Sequence, residues 1–424
     1  MEVNYKNKKY YNTAKYPIRQ PKIMTFLLFV VSKVALMFGV KYKIKKINME
    51  TLKPPYILLS NHHYFVDFEL SAIATYPHRV NNVATIDGYY RRPWLMELLG
   101  CICKRKFTTD LHLIKSIKRV LAKGDVLCMY PEARYTPIGT TAILPDSLGK
   151  LVKSCKVPVV VMLHHGNYLR TPFWNYRKPR KVPLYTTVEQ ILTAEQVASM
   201  SADEINETIR QAMQYDEYKW QKEQNIKITE DFRAEGLHKV LYHCPHCNTE
   251  FKMDSIGATL FCKACGKAWE MDELGVLTAN DGETEFTHIP DWFEWELSQF
   301  RKQIEAGEYY FEDSVDVYSL PRCMKFEHLG SATLTHSLEG GFTIKGHYNG
   351  ADYEINRTPE SMYGVHVEYD YCYVKPNDCI DISTDKDSFY CYPEQQNVVT
   401  KLSFATEEIY RLRMEQINKE KISK

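Results

Sequence analysis

The chain has 424 residues, of which 44% are hydrophobic and 25% are charged. A chain of this length and composition buries a sizeable core in roughly two to four domains, which excludes wholesale disorder. Its formal net charge of +1 is unevenly distributed, because the first 46 residues carry eleven lysines and arginines against the single acid Glu2. A basic segment of this kind suits an anionic membrane surface.

An apolar run over residues 23–40 lies inside this basic segment. It is short for a transmembrane helix and carries Lys33 at its middle, where a charge is costly in lipid. Its position and its end do not fit a secretory signal. The pattern favours an interfacial or re-entrant helix, so residues 1–45 are predicted to associate with a membrane. A helix buried against the rest of the protein is the alternative.

Residues 46–235 alternate apolar strands with helices. Strands are predicted at 56–59, 82–86, 125–130, 157–163 and 184–188. A helix with Leu113, Ile117 and Leu121 on one face ends at Gly124. Continuous apolar strands joined by helical crossovers predict an α/β domain, with a mostly parallel sheet and helices on both faces.

A histidine and a carboxylate, His62 and Asp67, follow the first of these strands. Ligands bind at the carboxyl ends of strands in open α/β sheets, so this position suggests a catalytic pair. The five-residue offset lets Asp67 accept a hydrogen bond from one imidazole nitrogen and leaves the other nitrogen free as a base. A structural turn capped by Asp67 is the alternative.

Cationic and acidic side chains occupy two further turns of the same domain. Lys104, Arg105 and Lys106 form one run of cations, and Glu132 and Arg134 follow the third predicted strand. Guanidinium and ammonium groups bind phosphate strongly, so cations at the mouth of the sheet predict a phosphorylated substrate. A solvated cationic surface is the alternative for the run.

Four motifs in this order resemble those of the glycerolipid acyltransferases typified by 1-acylglycerol-3-phosphate acyltransferase. They are the NHxxxxD motif at 61–67 and the segments 100–106, 130–134 and 157–161. The resemblance covers about residues 45 to 235. It implies that His62 is the general base that takes the proton of a glycerol hydroxyl, and that Asp67 orients it.

The same resemblance implies an acyl thioester as donor, either acyl-CoA or acyl carrier protein, and assigns the acceptor's phosphate to the second and third motifs. Which of Lys104, Arg105 and Lys106 meets the phosphate stays open. In the third motif, Ala133 stands where the family has glycine, and Arg134 comes one residue early.

The predicted function is therefore acyl transfer to a hydroxyl of a lysophospholipid or acylglycerol phosphate at the cytoplasmic face of the cell membrane. Two alternatives remain from the residues alone. A metallohydrolase would use His62, His63 and Asp67 as ligands. A catalytically inactive scaffold would act through the regions that follow residue 240.

Two CxxC pairs, Cys244 with Cys247 and Cys262 with Cys265, predict a zinc ribbon over residues 240–275. Four thiolates leave no open position on a tetrahedral ion, so the zinc is expected to be structural. Acidic neighbours, among them Asp254, make nucleic-acid binding unexpected. The remaining cysteines do not form a disulfide framework and fit a reducing cytoplasm.

Residues 288–424 begin with a helix and continue as short aromatic and β-branched runs separated by turn signals. This pattern predicts an antiparallel β domain, and the tail from Ala405 predicts a closing helix. Strands closed by one C-terminal helix resemble a PH-like module.

Overall fold

The computed structural model describes residues 3–5, 10–37, 39–108, 110–371 and 373–422. Several residues of the predicted basic segment, together with Phe38 of the apolar run and Cys372, lie outside the described residues.

Seven strands form the first sheet: β1 (Tyr42–Ile47), β2 (Ile57–Ser60), β3 (Val80–Thr85), β4 (Ile102–Lys104), β5 (Val126–Met129), β6 (Val159–His165) and β7 (Leu184–Leu192). Their spatial order is β1-β7-β6-β2-β5-β3-β4. Every neighbouring pair is parallel except β6 with β7. The mostly parallel sheet is therefore confirmed, with β1 and β4 in addition to the five predicted strands.

Among the residues that the structure describes, nine α-helices accompany this sheet: α1 (Lys22–Met37), α2 (Val66–Thr75), α3 (Pro93–Leu98), α4 (Leu111–Ala122), α5 (Ser147–Cys155), α6 (Asn167–Arg170), α7 (Ala194–Ser199), α8 (Ala202–Ala212) and α9 (Glu217–Glu223). Successive side chains of the central strand β2 point to opposite layers. Ile57 and Leu59 pack with residues of α4, α5 and α8, whereas Leu58 packs with Ala74 of α2. Helices therefore cover both faces, as the sequence predicts.

Helix α1 covers most of the predicted apolar run, beginning one residue before it, and has two different faces. Its 16 residues extend about 24 Å, which is shorter than a hydrocarbon core of about 30 Å. Leu36 packs against Leu70 and Ile73 of α2. The other face exposes six apolar side chains, Ile23, Phe26, Leu27, Val31, Val34 and Met37. Among the described residues, no helix combines the length and the apolar character needed to cross a membrane.

A four-stranded antiparallel sheet follows, made of β8 (Met253–Ile256), β9 (Thr259–Cys262), β10 (Ala268–Met271) and β11 (Leu277–Ala279) in the order β11-β10-β9-β8. Helix α10 (Ile289–Glu305) comes next. Trp269 of β10 contacts Trp292 of α10 edge to face, with ring centroids 4.9 Å apart. The small sheet is thus fixed on α10 by aromatic packing.

The C-terminal sheet contains β12 (Tyr310–Ser319), β13 (Glu327–Ser337), β14 (Gly341–Tyr348), β15 (Ala351–Arg357), β16 (His366–Glu368), β17 (Cys379–Ser383) and β18 (Ser388–Pro393). Every pair is antiparallel, and β12 joins a four-strand meander to a three-strand meander by pairing with β18. Helix α11 (Val399–Ile422) closes the chain and begins earlier than predicted. The antiparallel domain is confirmed, and its PH-like character stays a prediction.

The first and the C-terminal sheets share a hydrophobic core. Ile86 and Tyr89, which follow β3, belong to the same buried cluster as Leu320, Phe326 and Tyr390 of the C-terminal region. Cys101 and Cys103 of the second motif belong to the same cluster, so the C-terminal domain packs directly against that motif.

Candidate active site

Three strand ends meet at one edge of the first sheet. Strands β6, β2 and β5 are adjacent and parallel, and they end at His165, Ser60 and Met129. Because the carboxyl ends of parallel strands lie at the same edge, the polar turns that follow these strands lie side by side.

His62 and Asp67 form a hydrogen-bonded pair in the turn between β2 and α2. His62 Nδ1 lies 2.9 Å from Asp67 Oδ2. An ionised carboxylate only accepts hydrogen bonds, so His62 carries its proton on Nδ1 and keeps a free lone pair on Nε2. The His62 side chain is 23% exposed, whereas Asp67 is fully buried. This arrangement leaves Nε2 able to accept a proton from a bound group.

Asp67 also closes the turn. Its Oδ2 accepts the backbone N–H groups of His63 and Tyr64 at 2.6 and 3.1 Å. The two alternatives for this segment, a turn capped by Asp67 and a His62–Asp67 pair, are therefore both present. Burial alone would raise the pKa of Asp67, but the hydrogen bond with His62 and the neighbouring imidazoles outweigh burial and hold this pKa below its usual range. Asp67 is consequently ionised at neutral pH.

Asn167, the first residue of α6, holds the other carboxylate oxygen. Its Nδ2 donates to Asp67 Oδ1 at 2.5 Å, so Asp67 cannot rotate without losing this bond. The motifs of the sequence do not include Asn167, so this contact was not predicted. The signal in the sequence that could have indicated this role is the position of Asn167. It lies just after β6, which ends at the same edge of the sheet as β2.

His63 points away from the site. It is fully buried, and its Nε2 lies 2.8 Å from Asn61 Nδ2 and 3.2 Å from the backbone oxygen of His164. Asn61 Oδ1 accepts the His164 N–H at 2.8 Å, which ties the ends of β2 and β6 together. Burial lowers the pKa of His63. Of the two adjacent histidines, His62 is the one that faces the accessible side.

Aromatic rings surround His62. Its ring stacks on Tyr130 with a centroid separation of 4.0 Å and lies 4.4 Å from Tyr135. The Tyr135 ring is 5.0 Å from Phe173 and 6.1 Å from His366 of β16. His366 of the C-terminal sheet therefore lies directly behind Tyr135, one of the aromatic side chains that line the site.

Glu132 of the third motif is buried beneath the turn that follows β5. Its carboxylate accepts the Ala142 N–H at 3.0 Å and lies 3.3 Å from the Tyr215 hydroxyl. Burial raises the pKa of Glu132 to about 7. The next residue, Ala133, has a φ of 56°. The backbone therefore keeps the left-handed conformation that suits glycine, at a cost on the order of 1 kcal/mol for alanine.

Two of the predicted substrate-binding cations have partners outside the His62 turn. Arg134 donates to the carboxylate of Glu407 and, at 3.1 Å, to Ser403 Oγ, both on α11. Lys104 Nζ donates to the backbone oxygen of Thr108 at 2.6 Å. Both cations are thus held by the protein itself.

Lys106 is enclosed by three carboxylates. Its Nζ lies 2.8 Å from Asp381, 2.9 Å from Asp87 and 3.6 Å from Glu368, and its side chain is 5% exposed. Arg105 is buried beside it and donates from Nη1 to Ser388 Oγ at 3.2 Å. A substrate-binding role for these cations and for Glu132 and Arg134 stays a prediction.

The four ribbon cysteines converge as a metal site requires. Their Sγ atoms lie within 4.8 Å of one another, with Cys244 to Cys265 at 3.8 Å and Cys247 to Cys262 at 3.7 Å. Zn–S bonds of about 2.3 Å in a tetrahedron place sulfurs roughly 3.8 Å apart, so the set fits zinc. Within the described part of the chain, these cysteines are the one group of three or more potential ligands close enough to share an ion. A metal site at His62, His63 and Asp67 therefore receives no support.

Comparison with known families identifies the first sheet. Residues 43–164 match the family model described as Acyltransferase, and this range contains all four motifs. The chain therefore contains an acyltransferase domain, and the resemblance drawn from the motifs is confirmed for this segment.

Among solved structures, the chain is similar to the 1-acyl-sn-glycerophosphate (LPA) acyltransferase PlsC from Thermotoga maritima. The sequence identity is 14%, the TM-score is 0.37, and the match covers 45% of this chain and 79% of that chain. No curated protein matches the chain.

Proposed function

We propose that the protein transfers a fatty acyl group from a thioester to a hydroxyl of a lysophospholipid or acylglycerol phosphate. One observation carries the proposal: His62 Nδ1 is hydrogen-bonded to the buried carboxylate of Asp67, inside the segment that matches the acyltransferase family. A base with a fixed tautomer beside an accessible edge is what deprotonation of a hydroxyl requires.

In the proposed reaction, His62 Nε2 removes the proton of the acceptor hydroxyl as the oxygen attacks the thioester carbonyl carbon. A C–O bond forms, the C–S bond breaks, and the thiolate leaves with the proton that His62 held. Asp67 stabilises the imidazolium that forms in between, because its carboxylate faces Nδ1 at 2.9 Å. Asn167 keeps Asp67 in that orientation.

The proposed donor is acyl-CoA or acyl carrier protein, since both present an acyl thioester. The His62 side chain, which is 23% exposed, packs against the rings of Tyr130 and Tyr135. Phe65, in the same turn as His62, is 51% exposed and offers further apolar surface to an acyl chain. These features support a lipid substrate.

We also place the proposed reaction at the cytoplasmic face of the cell membrane, with the protein bound peripherally. The support is helix α1, whose outward face carries six apolar side chains that are 44 to 67% exposed. Basic residues near both ends of the helix, including Lys22 and Lys41, would meet anionic headgroups.

A second function, that of an inactive scaffold, is favoured by one observation. Lys106 and Arg134, expected to bind the acceptor's phosphate, are engaged by carboxylates of the C-terminal region. In that case the zinc ribbon and the C-terminal domain would carry the function.

Transfer of a radiolabelled acyl group from acyl-CoA or acyl carrier protein to lysophospholipids in vesicles tests the proposal. We expect His62→Ala to lower kcat/KM at least a hundredfold, a loss of the size that removal of a general base produces, roughly 10² to 10⁴. The matched control is His347→Ala, because His347 is an exposed histidine of β14. Full activity of His62→Ala would overturn the proposed mechanism, and the absence of turnover with every acceptor would favour the scaffold.

A further inference from the structure

The C-terminal domain supplies a partner to three of the four cations in the second and third motifs. Asp381 and Glu368 face Lys106, Ser388 accepts from Arg105, and Glu407 accepts from Arg134. The fourth cation, Lys104, is held by the backbone oxygen of Thr108. Lys106 and Arg134 are thus paired with carboxylates of the C-terminal domain, whereas Arg105 and Lys104 donate to neutral oxygens.

The charge around Lys106 is negative. One ammonium group faces the carboxylates of Asp87, Glu368 and Asp381, all within 3.6 Å. Burial alone would lower the pKa of Lys106, but these carboxylates outweigh it and raise the pKa well above its usual value. Lys106 is therefore charged, and a net excess of negative charge remains in the cluster.

This acidic cluster lies next to the catalytic turn. His366 Nε2 is 2.9 Å from Glu368, and the His366 ring is 6.1 Å from the ring of Tyr135, which in turn flanks His62. An acceptor bound at His62 is therefore separated from Glu368 of the cluster by the rings of Tyr135 and His366.

The cluster is a permanent part of the domain interface. Cys101 and Cys103, which lie in the second motif, share a buried hydrophobic cluster with Tyr371, Cys379 and Tyr390. Displacing Asp381 and Glu368 would require opening this apolar interface, so the two carboxylates belong to the site whenever the chain is folded.

We infer that Glu368 and Asp381 are specificity-determining residues that exclude phosphomonoester acceptors, and that the acceptor is a glycerolipid with no net charge. This inference rests on the proposed acyl transfer. A phosphomonoester carries close to two negative charges at neutral pH, and both Lys106 and Arg134 of the motifs are already paired with carboxylates. A zwitterionic lysophospholipid or a monoacylglycerol carries no net charge and escapes the repulsion.

The test compares three acceptors with one acyl chain in common: 1-acylglycerol 3-phosphate, lysophosphatidylethanolamine and monoacylglycerol. Each is offered to the full chain in phosphatidylcholine vesicles with acyl-CoA or acyl carrier protein as donor. We expect kcat/KM for one of the uncharged acceptors to exceed that for the phosphomonoester at least tenfold. Whichever of lysophosphatidylethanolamine and monoacylglycerol gives the higher kcat/KM identifies the class of acceptor. A wild-type preference for the phosphomonoester would overturn the inference.

The double variant Glu368→Gln/Asp381→Asn removes two charges and keeps the side-chain shapes. We expect the ratio of kcat/KM between uncharged and phosphomonoester acceptors to fall at least tenfold, and an unchanged ratio would contradict the inference. The control is Asp378→Asn, since Asp378 of the same domain pairs with Lys239 at 2.8 Å and not with Lys106. If Asp378→Asn changes the kcat/KM ratio equally, the change in specificity comes from a loosened C-terminal domain and not from the lost charges. That result would also overturn the inference. If thermal unfolding shows that the double variant is not folded, Glu368→Gln alone should shift the ratio in the same direction.

Calorimetric titration with sn-glycerol 3-phosphate separates this inference from the proposed function. We expect binding at least tenfold tighter to the double variant than to the wild type, whether or not acyl transfer is observed. Equal binding would overturn the inference and leave the proposed function standing. No turnover with any acceptor, together with tighter binding to the variant, would overturn the proposed function alone.

Discussion

Asp67 shows at the residue scale how one buried carboxylate serves the fold and the site together. One oxygen accepts from His62 and from two backbone N–H groups, and the other accepts from Asn167. Four donors offset the desolvation of a fully buried charge, which would otherwise be prohibitive. The turn that closes on Asp67 therefore also sets the tautomer of His62.

The sequence could predict this pair because the two partners are five residues apart and lie in one local turn. It could not predict Asn167, which is 100 positions from Asp67. Nor could it predict that Glu368 and Asp381, on strands of another domain, face Lys106. Contacts of this kind depend on how sheets pack, and no local pattern encodes them.

Glu132 makes stability depend on pH. Burial raises its folded-state pKa to about 7, whereas an unfolded glutamate titrates near pH 4.3. Since the folded state holds the proton more tightly, the contribution of Glu132 to stability is fully present below about pH 4 and is lost as pH rises through 7. We expect Glu132→Gln to gain about 2 kcal/mol relative to wild type between pH 5 and pH 8.

Urea unfolding at a series of pH values measures this gain. The control is Glu305→Gln, because Glu305 is an exposed glutamate at the end of α10. If the difference in unfolding free energy between wild type and Glu132→Gln does not change with pH, burial does not raise the pKa of Glu132.

At the scale of elements, the cluster of four cysteines in the predicted ribbon is the part that sequence spacing predicts best. Two CxxC pairs fix two knuckles locally, and the strands between them need only bring the knuckles together. The apolar contacts of the ribbon depend on residues distant in sequence. Cys244 and Cys262 belong to the same buried cluster as Trp174 and Trp292. The ribbon is therefore packed into the main core of the chain.

We expect one zinc per chain in the purified protein and its loss in Cys247→Ser, because three thiolates hold the ion more weakly than four. Elemental analysis measures the zinc, and thermal unfolding should show a lower midpoint in the variant, since metal binding stabilises the folded state. The control Cys155→Ser lies on α5, away from the ribbon. A variant that keeps its zinc and its midpoint would contradict this assignment.

Helix α1 is the element whose exposed face suggests a lipid surface. Val31 and Met37 are 62% and 67% exposed, and burying such side chains in lipid is worth roughly 1.5 to 3 kcal/mol each. We expect Val31→Glu/Met37→Glu to lower binding to phosphatidylglycerol vesicles at least about tenfold.

Vesicle flotation of the full chain measures this binding. The matched control is Ile256→Glu, which replaces an apolar side chain on β8 that is 70% exposed. Equal loss in the control, or none in the α1 variant, would remove the reason for placing α1 on the membrane.

At the scale of the whole molecule, the sequence indicates four consecutive units, and the structure joins them through shared cores. The class of each sheet follows from its own periodicity, which is a local property. Which units touch depends on apolar surface that strands such as β16 and β17 present to distant segments, and this could not be inferred from local patterns. The consequence is a catalytic domain whose second motif is buried by the C-terminal domain.

This shared core predicts that residues 43–235 do not form a stable protein alone. Without the C-terminal domain, Ile86, Tyr89 and Leu99 lose the apolar partners of their cluster, and Lys106 loses two of its three carboxylates. Exposing several such side chains removes free energy comparable with a whole domain's stability of about 5 to 15 kcal/mol. Expressed alone, the segment should unfold without a cooperative transition and bind a hydrophobic dye, whereas the full chain should melt cooperatively. A cooperative melt of the segment near that of the full chain would mean that the interface stabilises the catalytic domain little, and that Asp381 and Glu368 can leave Lys106 without unfolding it.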